Sequence, residues 1–200
     1  MTASLTRLET RLASSRRKIV KEAWEPPRRA DFAPGQPVMA FDASLSNTGW
    51  VLLSVTYGGL FVHAKGTIRP QTELTGYRET WRKAVILRQS LDEMSHVAIG
   101  ASHIAAEAPM VAGGHRTESS LVAGLQVVQW AAPRPVTDVG ATHVSSVLLG
   151  SGRVPREERK AAIKAAVARY IPGSADRSWN EHERDAAAVG LTHLHDLARR

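Results

Sequence analysis

The chain has 200 residues, 43% of them apolar, which suffices for one sizeable core with an appendage and is too little for two large domains. Its 26 Lys and Arg stand against 19 Asp and Glu, and the resulting net charge of +7 favours an anionic partner, nucleic acid first. The absence of cysteine excludes disulfides, zinc–thiolate centres and cysteine nucleophiles, and no apolar run approaches the ~20 residues that cross a bilayer. The N-terminus also lacks the apolar core of a secretion signal, so a soluble, cytoplasmic protein without membrane contact is expected.

Residues 1–36 carry eight Lys or Arg against four acids, over half of the net charge in less than a fifth of the chain. Leu5, Leu8 and Leu12 follow helical spacing, while Glu25-Pro26-Pro27 and Pro34-Gly35-Gln36-Pro37 interrupt regular structure. This segment reads as a basic extension and linker that grips DNA or a partner protein, or as a solvated tail, with a second unit over residues 37–200. Three strands follow, at 38–42, 49–56 and 60–68, the last two joined by Tyr57-Gly58-Gly59, and they form an antiparallel meander. A helix over 76–95 is expected to cover the sheet with Trp81, Val85, Leu87, Leu91 and Met94.

A strand at 103–107, a helix at 117–131 and a strand at 135–139 make a βαβ pattern, which extends the sheet in parallel. Gly113-Gly114-His115-Arg116-Thr117 reads as a loop before that helix, with Thr117 as N-cap. Helices at 142–149, 156–170 and 179–197 complete the chain. The expected class is α/β: a mixed five-stranded sheet, three antiparallel strands then two parallel, flanked by helices.

Two carboxylates fall at strand ends in this reading. Asp42 closes Val38-Met39-Ala40-Phe41-Asp42, and Glu107 closes His103-Ile104-Ala105-Ala106-Glu107. A third, Asp185, lies on the last helix. A lone strand-end Asp is most often a turn residue. Three acids that meet in space bind hard cations, and two such cations about 3.5–4 Å apart serve phosphodiester hydrolysis by stabilising both attacking and leaving oxygens.

The chain resembles the RuvC-type Holliday junction resolvases of the RNase H-like nuclease and integrase superfamily over about residues 37–197. The resemblance rests on Phe41-Asp42-Ala43-Ser44-Leu45-Ser46-Asn47-Thr48-Gly49-Trp50, Ala106-Glu107-Ala108-Pro109-Met110, Leu149-Gly150-Ser151-Gly152-Arg153-Val154-Pro155-Arg156 and His182-Glu183-Arg184-Asp185-Ala186-Ala187-Ala188-Val189, in that order. It implies an RNase H-like fold and a structure-selective endonuclease that resolves Holliday junctions with two Mg²⁺ or Mn²⁺ ions, leaving 5′-phosphate and 3′-hydroxyl ends. It also implies that Asp42, Glu107 and Asp185 are metal ligands and catalytic.

A fourth acid is common in the family three residues before the last, where this chain has His182, on the same helical face as Asp185. His182 is therefore expected as a metal ligand or proton-transfer group, with Glu181 in reserve; imidazole suits Mn²⁺ better than Mg²⁺. The one-sided basic run Arg153, Arg156, Arg159, Lys160 and Lys164 reads as a contact to DNA phosphates; the resemblance singles out Arg156 near the scissile phosphate, implies an inserted Met110, and marks Ser145 as standing where relatives often have lysine. A charged helix face is ordinarily just solvated, and a methionine is as readily core. The helix at 117–131 is apolar over more than one face, and the resemblance implies a homodimer packed through it on a four-way junction. Competing readings are a relaxed flap or fork debranching endonuclease, a catalytically silent branched-DNA-binding protein and, more distantly, an actin-like sugar kinase.

Overall fold

The computed structural model describes residues 24–56, 59–109 and 115–200. The helix expected around Leu5–Leu12, the Tyr57-Gly58 turn and Met110 lie outside these residues, as does the side chain of Arg156.

Strands β1 (Val38–Asp42), β2 (Thr48–Thr56) and β3 (Gly59–Ile68) pair antiparallel. Helices α1 (Gly76–Glu93) and α2 (Ser95–Ile99) lead to β4 (His103–Ala108), and α3 (His115–Ala131) leads to β5 (Val136–Gly140). Then come α4 (Ala141–Leu149), α5 (Arg156–Tyr170) and α6 (Glu181–Leu197). The sheet order is β3-β2-β1-β4-β5, with β4 parallel to both β1 and β5, so the mixed sheet expected from sequence is the one formed.

The apolar run of β1 is continuous because both faces of the sheet are covered. Successive side chains alternate between faces. Met39 and Phe41 join Ile104, Ala106, Leu87, Leu91, Leu125 and Val128 in a core beneath α1 and α3. Val38 and Ala40 join Ala105, Val51, Leu53, Val144, Val167 and the middle of α6 in a second core on the opposite face.

Helix α6 is buried on every side from Ala186 to Leu194, packed under neighbours as well as against the sheet, and only Thr192 and His193 interrupt its apolar surface there. Gly190 permits that approach: a Cβ there would lie 2.9 Å from Leu53 Cδ2 and 3.1 Å from Ala40 Cβ.

The elements depart from expectation in a few places. The helix expected over 76–95 stops at Glu93, and Ser95–Ile99 forms a separate short turn of helix. Trp81, expected on the buried face, is 59% exposed, because Leu87 and Leu91 alone of α1 are fully packed on the sheet. Helix α3 starts at His115, two residues before the expected Thr117 cap. On α3, Leu125 and Val128 face the sheet while Val122 and Trp130 face solvent.

Residues 24–36 run across the α4–α6 layer. Trp24 packs on the Gly150 backbone, Tyr170 donates its hydroxyl hydrogen to Pro27 O at 2.8 Å, and Phe32 is buried edge-on against Tyr170. Ala33 N and Gly35 N then donate to Leu194 O and Val55 O at 3.0 and 2.8 Å, which ties this stretch to α6 and β2.

Candidate active site

Strand alternation puts Asp42 on the same face as Val38 and Ala40, the face that α6 covers. Glu107 shares the parity of Ala105 and points to that face too, and Ala40 pairs with Ala105 across the β1–β4 ladder, two residues before each acid. The two carboxylates thus end neighbouring parallel strands on one side of the sheet. No other pair of strand-end acids has this relation among the described residues.

The third acid comes from the start of α6. Asn180 is its N-cap: its Oδ1 accepts from Glu183 N at 3.1 Å, while Glu183 Oε2 accepts from Asn180 N at 3.1 Å, a reciprocal capping box. This fixes the helix start two residues beyond the expected Trp179 and places His182 and Asp185 one turn apart on the face turned to the strand ends. Gly49, paired with Asp42, has the His182 carbonyl directly over it with no room for a Cβ, so the helix lies close on β2 there.

Geometry and charge then define the site. His182 Nδ1 lies 2.8 Å from Asp42 Oδ2. Arg159 of α5 donates to Glu107 Oε1 at 3.1 Å, and Lys160 Nζ pairs with Glu181 Oε1 at 2.5 Å. Glu107, Asp185, Arg159 and Lys160, with Val144, Ile163, Ala188 and Val189 behind them, line a cleft of about 140 Å³.

Burial pushes the Asp185 carboxyl up to about 7, with the charges of Asp42, Glu107 and Glu181 adding to the effect and Arg159 opposing it. Burial also raises Glu107, as does Asp42, against the pull of Arg159. The hydrogen bond that His182 donates to Asp42 raises the imidazole, and burial works the other way. Neighbouring acids thus add to burial in raising both Glu107 and Asp185.

Asp42, Glu107, His182 and Asp185 are thus brought into one electrostatic unit. As the side chains stand, however, no three Asp, Glu or His among the described residues converge at metal-ligating separation. The chemistry of the donor set, hard carboxylate oxygens with excess negative charge, nevertheless fits Mg²⁺ or Mn²⁺.

Of the residues expected at DNA, Arg159 and Lys160 line the cleft, but each is drawn to an acid of the site. Arg153 is exposed outside the cleft lining. Ser145 is buried and donates to Ala141 O at 3.1 Å, so it does not face the cleft. His63, His103, His143, His193 and His195 lie away from the site, in contacts with Ser54, His193, Asp196, His103 and Phe32 respectively.

Sequence reasoning missed Glu183 and Lys65, whose Nζ lies 2.8 Å from Glu183 Oε2. The Asn180-x-x-Glu183 spacing is a legible signal for the first; nothing local marks the second.

No protein-family model matches the sequence, and no curated protein matches it. Among solved structures, RuvC of Thermus thermophilus superposes with a TM-score of 0.64 at 16% identity, covering 82% of this chain and 96% of that one. T. thermophilus RuvC in complex with a Holliday junction substrate gives 0.63 at 18% identity with the same coverage. The yeast mitochondrial Holliday junction resolvase gives 0.50 at 11% identity, covering 84% of each chain. The chain has the RNase H-like fold of the RuvC-type resolvases.

Proposed function

We propose that this protein is a structure-selective endonuclease that cuts branched DNA by divalent-cation-dependent phosphodiester hydrolysis, with four-way Holliday junctions the favoured substrate. The observation that carries the reading is the placement of Asp42, Glu107 and Asp185 on one side of the sheet, where burial and then the charges of the neighbouring acids push Asp185 up to about 7. The fold shared with T. thermophilus RuvC, which is solved with a junction substrate, supports the choice of DNA. The net charge of +7 supports it as well.

Asp42, Glu107 and Asp185 would hold Mg²⁺ or Mn²⁺, two ions per site, with His182 or Glu181 completing the set. Bound there, the ions lower the pKa of water and neutralise the charge developing on the phosphate oxygens. The chain's own residues do the rest. Asp42 holds the proton on His182 Nδ1, where it can be lost as the site loads; Arg159 leaves Glu107 for the DNA phosphate; Lys160 supplies a second cation at the cleft edge. In-line attack leaves 5′-phosphate and 3′-hydroxyl ends. The exposed line of Val122 and Trp130 on α3 supports a homodimer through that helix, which would pair two sites on a two-fold symmetric junction.

A second reading, a branched-DNA-binding protein that does not cut, is favoured by one observation: Arg159 occupies a Glu107 oxygen. Incubating the protein with four-way junctions, flaps, forks and linear duplex, with Mg²⁺, Mn²⁺ or chelator, separates the readings. Paired symmetric nicks on junctions are expected. Equal cutting of flaps and forks points to a debranching enzyme, and tight binding without any product points to the silent reading.

A further inference from the structure

Three consecutive residues at the start of α6 are tied to three different elements. Glu181 pairs with Lys160 of α5, His182 with Asp42 of β1, and Glu183 with Lys65 of β3. The first involves Lys160 of the cleft, and the second two of the proposed metal ligands. The third lies outside the cleft. Lys65 Nζ donates to Ser178 O at 2.6 Å and to Glu183 Oε2 at 2.8 Å, and sits 4.9 Å from the centre of the Trp179 ring.

The register explains why β3 reaches the helix here. Lys65 pairs with Val51 and Thr67 with Gly49, so both face the α6 side of the sheet. Thr67 Oγ1 accepts from the N-cap Asn180 Nδ2 at 2.9 Å. Glu183 is buried, only 6% exposed, and its Oε2 also closes the capping box, so one carboxylate joins the strand, the cap and the first turn. Unpaired, a carboxylate so buried is costly; Lys65 is its only cationic partner among the described residues.

We propose that Lys65 is a positioning residue for the hydrolysis: by holding Glu183 against β3 it sets the first turn of α6, and with it His182 and Asp185, over the strand-end carboxylates. It acts through Glu183, since its ammonium is committed to Ser178 O, Glu183 and the Trp179 ring and it does not line the cleft. This rests on the nuclease reading above, which has its own test.

The experiment compares wild type, Lys65→Met and Lys65→Arg, with Glu183→Gln as a second route that keeps the helix cap's acceptor. Two readouts are taken: single-turnover cleavage of a four-way junction with Mn²⁺ as a function of DNA concentration, and hydrogen exchange of backbone amides in the DNA-free, metal-free protein. Lys65→Met and Glu183→Gln are expected to lower the cleavage rate about 10- to 100-fold with junction affinity unchanged, in line with other outer-layer partners of a metal site. Lys65→Arg should recover part of that rate. Amides of 181–185 should exchange faster while those of 186–195 keep their protection.

Full cleavage by Lys65→Met, weaker DNA binding in place of a slower step, or unchanged exchange at 181–185 would each overturn the assignment. A wild type that cuts no branched DNA sinks the nuclease reading instead, and the exchange pattern then still decides whether Lys65 holds the helix start.

Discussion

His182 Nδ1 lies 2.8 Å from Asp42 Oδ2, so a histidine on the last helix and a carboxylate on the first strand share a proton across the site. The hydrogen bond to Asp42 is the main reason that the imidazole holds its proton above the usual 6.5, and the charges of Asp42, Asp185 and Glu181 add to it. While protonated, His182 neutralises a carboxylate that the proposed cation would need. The protonated pair is fully stabilising below 6.5, and that contribution disappears as pH rises through the elevated value.

Cleavage is therefore expected to rise with pH, with a midpoint above 6.5, as that proton leaves. In His182→Asn the limb should move or vanish, and the rate near neutrality should change by about tenfold, a modest effect for a proton-transfer group. A single-turnover pH profile checks it; an identical limb in the variant would assign the ionisation elsewhere.

Asp185 offers a stability test with the opposite sign to most carboxylates. Its folded value of about 7 exceeds the usual 3.8, so the folded state favours the protonated form. The stabilising proton is fully bound below 3.8 and is lost as pH rises through about 7, leaving the metal-free protein strained at higher pH. Asp185→Asn should thus abolish cleavage while raising metal-free stability at about pH 8 by about 1–3 kcal/mol, or several degrees of Tm, with junction binding retained. Thermal melts at about pH 5 and about pH 8 read this directly, since the gain should shrink at the lower pH. Asp42→Asn and Glu107→Gln are expected to lose cleavage as well.

Arg159 has two possible destinations, and a variant separates them. Without DNA it pairs with Glu107 at 3.1 Å and would compete with the proposed cation for that carboxylate. Arg159→Ala should bind Mn²⁺ more tightly in the DNA-free state, as followed by calorimetry. Its junction affinity should fall, and the slope of log affinity against log salt should become shallower by about 1, the signature of one lost phosphate contact. An unchanged slope would keep Arg159 at Glu107 throughout.

Much of this site is legible in the sequence, for a physical reason. A buried parallel strand must be apolar on both faces, so a single carboxylate closing Val38-Met39-Ala40-Phe41 or Ile104-Ala105-Ala106 stands out, and period-two alternation fixes its face. His182 and Asp185 are legible together because one helical turn separates them. The pairing of Arg159 with Glu107 is not, because they lie 52 residues apart and no local rule selects a partner over that span. Periodicity misplaces Trp81, since it identifies an apolar stripe on a helix but not where the sheet beneath it ends. Phe32 and Ala33 sit in the core despite their proline-rich surroundings, a case of tertiary packing overriding local turn signals.

The far half of α6 supplies a last prediction, in which two groups on one helix work against each other. His193 is 1% exposed, and neither ring nitrogen finds a hydrogen-bond partner among the described residues; its ring rests 5.5 Å from that of His103. Burial, with a smaller contribution from the charge of His103, lowers His193 to about 4. A depressed folded value means that stability is full above 6.5 and is lost as pH falls towards 4.

Over the same interval Asp185 gains its proton and stabilises the fold, so the wild-type curve records only the difference. His193→Leu removes the acid-side loss and leaves the Asp185 gain exposed. The metal-free variant should therefore become more stable, relative to wild type, by about 1–3 kcal/mol on going from about pH 7 to about pH 4.5. Urea denaturation at the two pH values measures it. Parallel curves for the two proteins would show that His193 already meets a proton acceptor in solution, and would remove it from the balance.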